Sequence, residues 1–218
     1  MKKLLKKGNA LMLVWTIQSL QVWEKLQQDG FIYGPGPDLI NRVTESWQWQ
    51  TAYQWIAEQM ERGIGKRPKP NISPLWAWFQ WRDVTHRKPD LRSSGHLAPG
   101  TKGVRLACEI PDDQMLLSDF LLWHHALNYG YLSLSQAEEE AFEAELAADG
   151  LTYMPLGPLS DPVFHQRILE SWQRIFDLDG VGHPDWLGNQ TRDEKAIQAS
   201  FWQLSLDQIR EVTLFTSR

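Results

Sequence analysis

The chain has 218 residues, 42% hydrophobic and 22% charged, a length and balance that suit one globular domain with one core. A net charge of −5 excludes a global electrostatic pull toward nucleic acid and leaves only a local basic patch for that purpose. One cysteine, Cys108, excludes a disulfide within the chain and points to a reducing, cytoplasmic setting.

Residues 1–10 read as a basic lead-in, with Lys2, Lys3, Lys6 and Lys7 ahead of a short apolar run and no small-residue cleavage site after it. The single domain is expected over residues 11–218. Leu11 to Ile17 is apolar and β-prone, so it predicts a buried strand. Ser19 can cap a helix over 20–29 in which Val22, Trp23 and Leu26 share a face, and Gly30 ends it. Phe31 to Tyr33 runs into a glycine–proline turn at 34–37. Tyr53, Ile56, Ala57 and Met60 recur at helical spacing and predict a helix over 50–62, stopped by Gly63 and Gly65. In Leu75 to Trp81 the tryptophans fall at 76, 78 and 81, an alternation that breaks and predicts a bulged strand or a turn of helix.

A long polar loop spans 82–102, then Gly103 to Ile110 reads as a strand and 111–113 as a turn. Ser118 or Asp119 can cap a helix through Asn128. Ser135 with Glu138 forms a capping-box pattern for a helix over 136–148, whose glutamates are expected to be a solvated face. Asp161 and Pro162 supply a cap and a first-turn proline for a helix to 177 with Phe164, Ile168, Trp172 and Ile175 inward. A second polar loop covers 178–195, followed by strands at 197–204 and 211–215. Polar loops this long are uncommon in compact domains and often carry function. The fold class is therefore α+β: a small mixed or antiparallel sheet flanked by about five helices. No stretch approaches the ~20 apolar residues of a membrane span.

Twelve tryptophans are the chain's most unusual feature. Trp23, Trp55 and Trp172 sit on amphipathic helical faces and suit a core. Trp76, Trp78 and Trp81 cannot all point one way, so at least one is expected to line a cleft, where indole stacks on a base, a nicotinamide or a sugar. Arg92, close to Asp90, is either a surface ion pair or a fork for phosphate, with His96 as a helper. His124 and His125 lack the spacing of a helical metal pair, and one cysteine cannot build a thiolate cluster, so no metal is expected. Phosphate-loop, dinucleotide-fingerprint and serine-elbow patterns are missing from the sequence.

Several blocks in order carry a resemblance: VWTIQS at 14–19, KPDLR at 88–92, LSDF at 117–120 with Trp123, His124 and Asn128, Ser171-Trp172 with IFD at 175–177, and IQASFW at 197–202. Over residues 13–218 the chain resembles the bacterial family called domain of unknown function 3841, a name that implies no activity. The opening also resembles small ADP-ribosyltransferase-like domains, whose first strand bears a polar NAD-contacting residue before a helix with a Trp and a closing Gly. The ending, Gln198 to Phe201 followed by Ile209 and Val212, is similar to the late strand that carries their catalytic glutamate. This second resemblance implies a split β-sandwich and NAD as cofactor. It also implies an NAD-dependent transferase acting on a protein or nucleic-acid target. Trp15, Thr16, Gln18 and Trp78 would then line the nucleotide cleft, with Arg92 and His96 on the pyrophosphate. Asp119 or His124 would assist proton transfer, and Gln198 would hold a ribose hydroxyl. Thr16 replaces the usual first-strand His or Arg. Gln198 or Ser200 stands where the glutamate belongs, and neither supplies its charge. A non-catalytic module binding a nucleotide, base or peptide is therefore the alternative, as is a partner-binding protein of a toxin–antitoxin or defence pair.

Overall fold

The computed structural model describes residues 10–36, 46–152, 157–184 and 186–218. The basic lead-in falls outside these residues except for Ala10, as does Pro37 of the expected turn. The strands are β1 (Leu11–Ser19), β2 (Phe31–Tyr33), β3 (Leu75–Gln80), β4 (Lys102–Pro111), β5 (Leu116–Asp119), β6 (Ile197–Phe201), β7 (Gln203–Ser205) and β8 (Ile209–Thr216). The helices are α1 (Leu20–Asp29), α2 (Trp47–Gly63), α3 (Phe120–Leu127), α4 (Gln136–Ala148) and α5 (Pro162–Ser171), the last continued by a 3-10 turn over Trp172–Phe176. Six strands form an antiparallel sheet in the order β5-β6-β3-β1-β4-β8, and β2 pairs with β7 in a separate ribbon. The α+β class follows, with five α-helices among the described residues.

Local signals explain most boundaries. Ser19 Oγ accepts the amide of Val22, and Gly30 closes α1 at φ 79°, a left-handed conformation that costs glycine little. Asp161 accepts the amides of Val163 and Phe164 with Pro162 in the first turn. The sequence reading of one strand over 197–204 is corrected: β6 and β7 are separate, and the chain changes sheets at Trp202. β5 lies where the sequence reading had only the turn and the approach to a helix cap. Glu138 is not part of a solvated face. Its carboxylate accepts from Tyr131 Oη, the Leu134 amide and Arg174, because the loop before α4 folds back over the helix start.

The main sheet has two differently covered faces, as the period-2 alternation of strands requires. Val14, Ala77, Leu106, Cys108, Ala199 and Phe201 pack on one face with Leu26 of α1. Cys108 is fully buried, and burial pushes its thiol up to about 12, so it is the inert core cysteine that its apolar flanks suggest. On the opposite face, α2 to α5 build a second core around Trp55, Trp123, Phe142, Ile168 and Trp172, with Trp76 packed against it.

Candidate functional site

Cross-strand register sets the floor of the site. Trp15 lies opposite Trp78, Trp78 opposite Gln198, and Gln198 opposite Ser118. Directly opposed residues share a face, so β1, β3, β6 and β5 each place one of these residues in a continuous row. The ladder shifts register between Trp78 and Gln80, which is the bulge suggested by the broken tryptophan alternation. Gln80 then turns its amide to the carbonyls of Arg192, Asp193 and Lys195, anchoring the second polar loop to the strand end.

A cavity of about 510 Å³ opens beside Trp78. Trp81, Arg82 and Ser94 to His96 wall it on the side of the first polar loop, and Asp119 to Leu121 with Gln190 and Glu194 to Ala196 wall the other. Trp78 and Phe120 approach at 4.7 Å between ring centroids, and Trp81 lies 5.9 Å from the ring of His96. The Arg82 guanidinium sits 4.3 Å above the Trp81 ring, a cation–π arrangement that leaves its fork of donors uncommitted to any carboxylate among the described residues. His96 donates from Nε2 to the Asp90 carbonyl at 2.8 Å, which leaves Nδ1 as its acceptor when neutral.

Two charged groups of the wall are buried, Asp119 and Lys195, each with a side chain only 2% exposed, 3.7 Å apart. Asp119 Oδ1 caps α3 by accepting the amides of Leu121 and Leu122 at 2.9 and 3.1 Å, as its position before the apolar run suggested. Asp119 Oδ2 has no hydrogen-bond partner, and neither do Ser118 Oγ and Gln198 Oε1. Buried polar atoms in this condition are rare, and each left unpaired costs about 1–3 kcal/mol.

The nine nominated site residues therefore divide. Trp78, His96 and Asp119 line the one cavity, and Trp15 and Gln198 adjoin it through the row. Thr16 is buried on the other face and donates to the Trp76 carbonyl, while Gln18 donates to Thr16 and lines a separate cavity of about 270 Å³ beside Tyr53. His124 donates from Nδ1 to the Phe120 carbonyl and faces a third cavity of about 400 Å³ with Trp186. Arg92 points to solvent, with its side chain 79% exposed, and grips Asp90 through Nε and an Nη. That pairing holds the Asp90 carboxyl well below the usual range. Sequence reasoning missed Arg82, Phe120 and Lys195. A lysine just before an apolar strand reads as an ordinary loop end, and no local pattern marks it as buried.

The model of the family described as domain of unknown function 3841 matches residues 13–210. The chain belongs to this family. No curated protein and no solved structure matches the chain. Among the described residues, no helix is long and apolar enough to cross a membrane.

Proposed function

We propose that this member of the family is an NAD-dependent transferase of the ADP-ribosyltransferase kind, acting on a protein or nucleic-acid target, with its nucleotide seated over Trp78. One observation carries the reading. The first strand and the late strand nominated by the resemblance flank β3, so Trp15 and Gln198 sit on either side of Trp78 on one face. The adjoining cavity is of small-ligand size and has aromatic walls for a planar ring.

The chemistry would run as follows. A nicotinamide ring stacks among Trp78, Trp81 and Phe120, and the pyrophosphate lies at the mouth against Arg82, the cation that takes the role first given to Arg92. Gln198 Oε1, buried and without a donor, accepts a ribose hydroxyl. The bond from the ribose anomeric carbon to the nicotinamide nitrogen breaks, and its electron pair leaves with nicotinamide. The target's nucleophile bonds to that carbon and releases a proton. Gln198 holds the sugar without supplying charge. Asp119, at the end of the adjacent strand, is a buried carboxylate in the cavity wall that offsets the developing cation.

A specific observation favours a second reading, nucleotide binding without turnover: Asp119 is already tied to the α3 amides and lies beside Lys195. Incubation with NAD separates the two. The transferase reading expects nicotinamide release or self-modification, detected by chromatography and intact mass, and expects both to vanish in Gln198→Ala and Trp78→Ala while thermal unfolding stays cooperative. Quenching of tryptophan fluorescence by NAD with no release supports binding alone. No quenching and no release would sink both.

A further inference from the structure

Asp119 and Lys195 are unsatisfied in complementary ways. Asp119 Oδ2 has bare lone pairs, because the Lys195 ammonium at 3.7 Å is beyond hydrogen-bonding distance. The ammonium has three protons. It donates to the Gly180 carbonyl at 2.9 Å and to the Asp177 carbonyl at 3.4 Å, which leaves one proton uncommitted. Both residues line the cavity beside Trp78 and Phe120. The wall thus offers one acceptor and one donor, 3.7 Å apart and buried, next to two aromatic rings.

That spacing selects a ligand edge. An amide carries its oxygen and nitrogen roughly 2.2 Å apart on one planar edge, from its C=O and C–N bond lengths. Two hydrogen bonds of about 2.9 Å would join such an edge to the pair, N–H to Asp119 Oδ2 and oxygen to Lys195 Nζ. A carboxylate would set two acceptors against the pair and meet Oδ2 with like charge. A plain ring would leave both buried groups unpaired.

We infer that the Asp119–Lys195 pair is a recognition element for an amide-type donor–acceptor edge on an aromatic ring, as borne by a nicotinamide carboxamide or by the amino face of adenine. The inference rests on the nucleotide reading of the cavity and names the part of the nucleotide held at its deep end. It also makes Asp119 a ligand-contacting group as well as a cap.

The experiment is titration calorimetry of the intact protein with nicotinamide, nicotinic acid and adenine. The expected result is binding of nicotinamide or adenine, with nicotinic acid at least tenfold weaker than nicotinamide. Tighter nicotinamide identifies the carboxamide as the edge held, and tighter adenine identifies the base. Asp119→Asn keeps a capping oxygen but turns Oδ2 into a donor, so its preference should invert toward nicotinic acid. Asp119→Ser also keeps a cap and removes the acceptor, so discrimination should collapse to within about twofold. Equal binding of nicotinamide and nicotinic acid by the native protein overturns the inference. So does an unchanged preference in folded Asp119→Asn, or no binding of any probe. NAD turnover is scored separately. Discrimination without turnover removes the transferase reading and leaves this inference standing, and turnover without discrimination does the reverse.

Discussion

Trp76 and Trp78 lie two residues apart on β3, on the same face of the same sheet, and meet opposite fates. Trp76 is packed mainly against helices: its ring lies 5.2 Å from Trp123 and 6.2 Å from Tyr53, under α2 and α3, and it borders only the smaller cavity of about 270 Å³. Trp78 faces the cavity, flanked by two polar loops and the capped start of α3. The difference teaches that residue type and strand position do not assign a tryptophan to core or site. What packs on the strand decides it. Helices bring side chains that interdigitate and fill space. The loops at the Trp78 end are tied down by backbone carbonyls and ion pairs, as at Gln80 and Lys88, and leave a gap between them.

The comparison breaks first on stability. Trp123→Ala, at the closed end, should cost about 3–5 kcal/mol in urea unfolding, the range for a large aromatic removed from a core. Trp78→Ala should cost about 1 kcal/mol or less, since its ring already borders open space, and should abolish NAD quenching of fluorescence. Equal losses would mean that the two ends are packed alike.

Asp119→Ala tests the open end's own foundation. It removes the α3 cap and strands the Lys195 ammonium in a buried site, for an expected loss of about 3 kcal/mol at neutral pH. Asp119→Asn, which still caps but also leaves Lys195 without its counter-charge, should lose only about 1 kcal/mol less than Asp119→Ala in the same unfolding assay.

The fully closed α1 face is probed by pH through Cys108. Its folded thiol ionises at about 12 instead of 9.0, so the folded state holds the proton more tightly than the unfolded chain. This contribution is complete below the unfolded value and is lost as pH rises from about 9 to 12. Denaturation midpoints should fall across that window more steeply in the native protein than in Cys108→Ala. A parallel decline would show that Cys108 is not desolvated. The smallest effects separate the two arginines. Arg82→Ala should weaken nucleotide binding about tenfold, roughly 1.4 kcal/mol. Arg92→Ala should leave binding unchanged and alter stability by no more than about 0.5 kcal/mol. Loss of binding in Arg92→Ala would return the phosphate grip to the exposed loop.

The sequence by itself determined the local grammar of this protein. Ser19, Gly30, Ser135, Asp161 and Pro162 mark helix ends because caps and left-handed glycines act within one turn of chain. The inward faces of α2 and α5 were legible from spacing alone, the break after Trp78 was legible as either a bulge or a turn of helix, and the α3 cap was legible as Ser118 or Asp119. Tertiary structure alone decided the pairing of β5 with β6, the exchange of sheets at Trp202, and the site. Trp78, His96, Asp119 and Lys195 come from four distant segments, and only strand order and register bring them to one cavity. Arg92 and Arg82 make the same point. Both are loop arginines near Asp90 in sequence, and nothing local distinguishes the one that grips that carboxylate from the one that rests on Trp81 over the cavity.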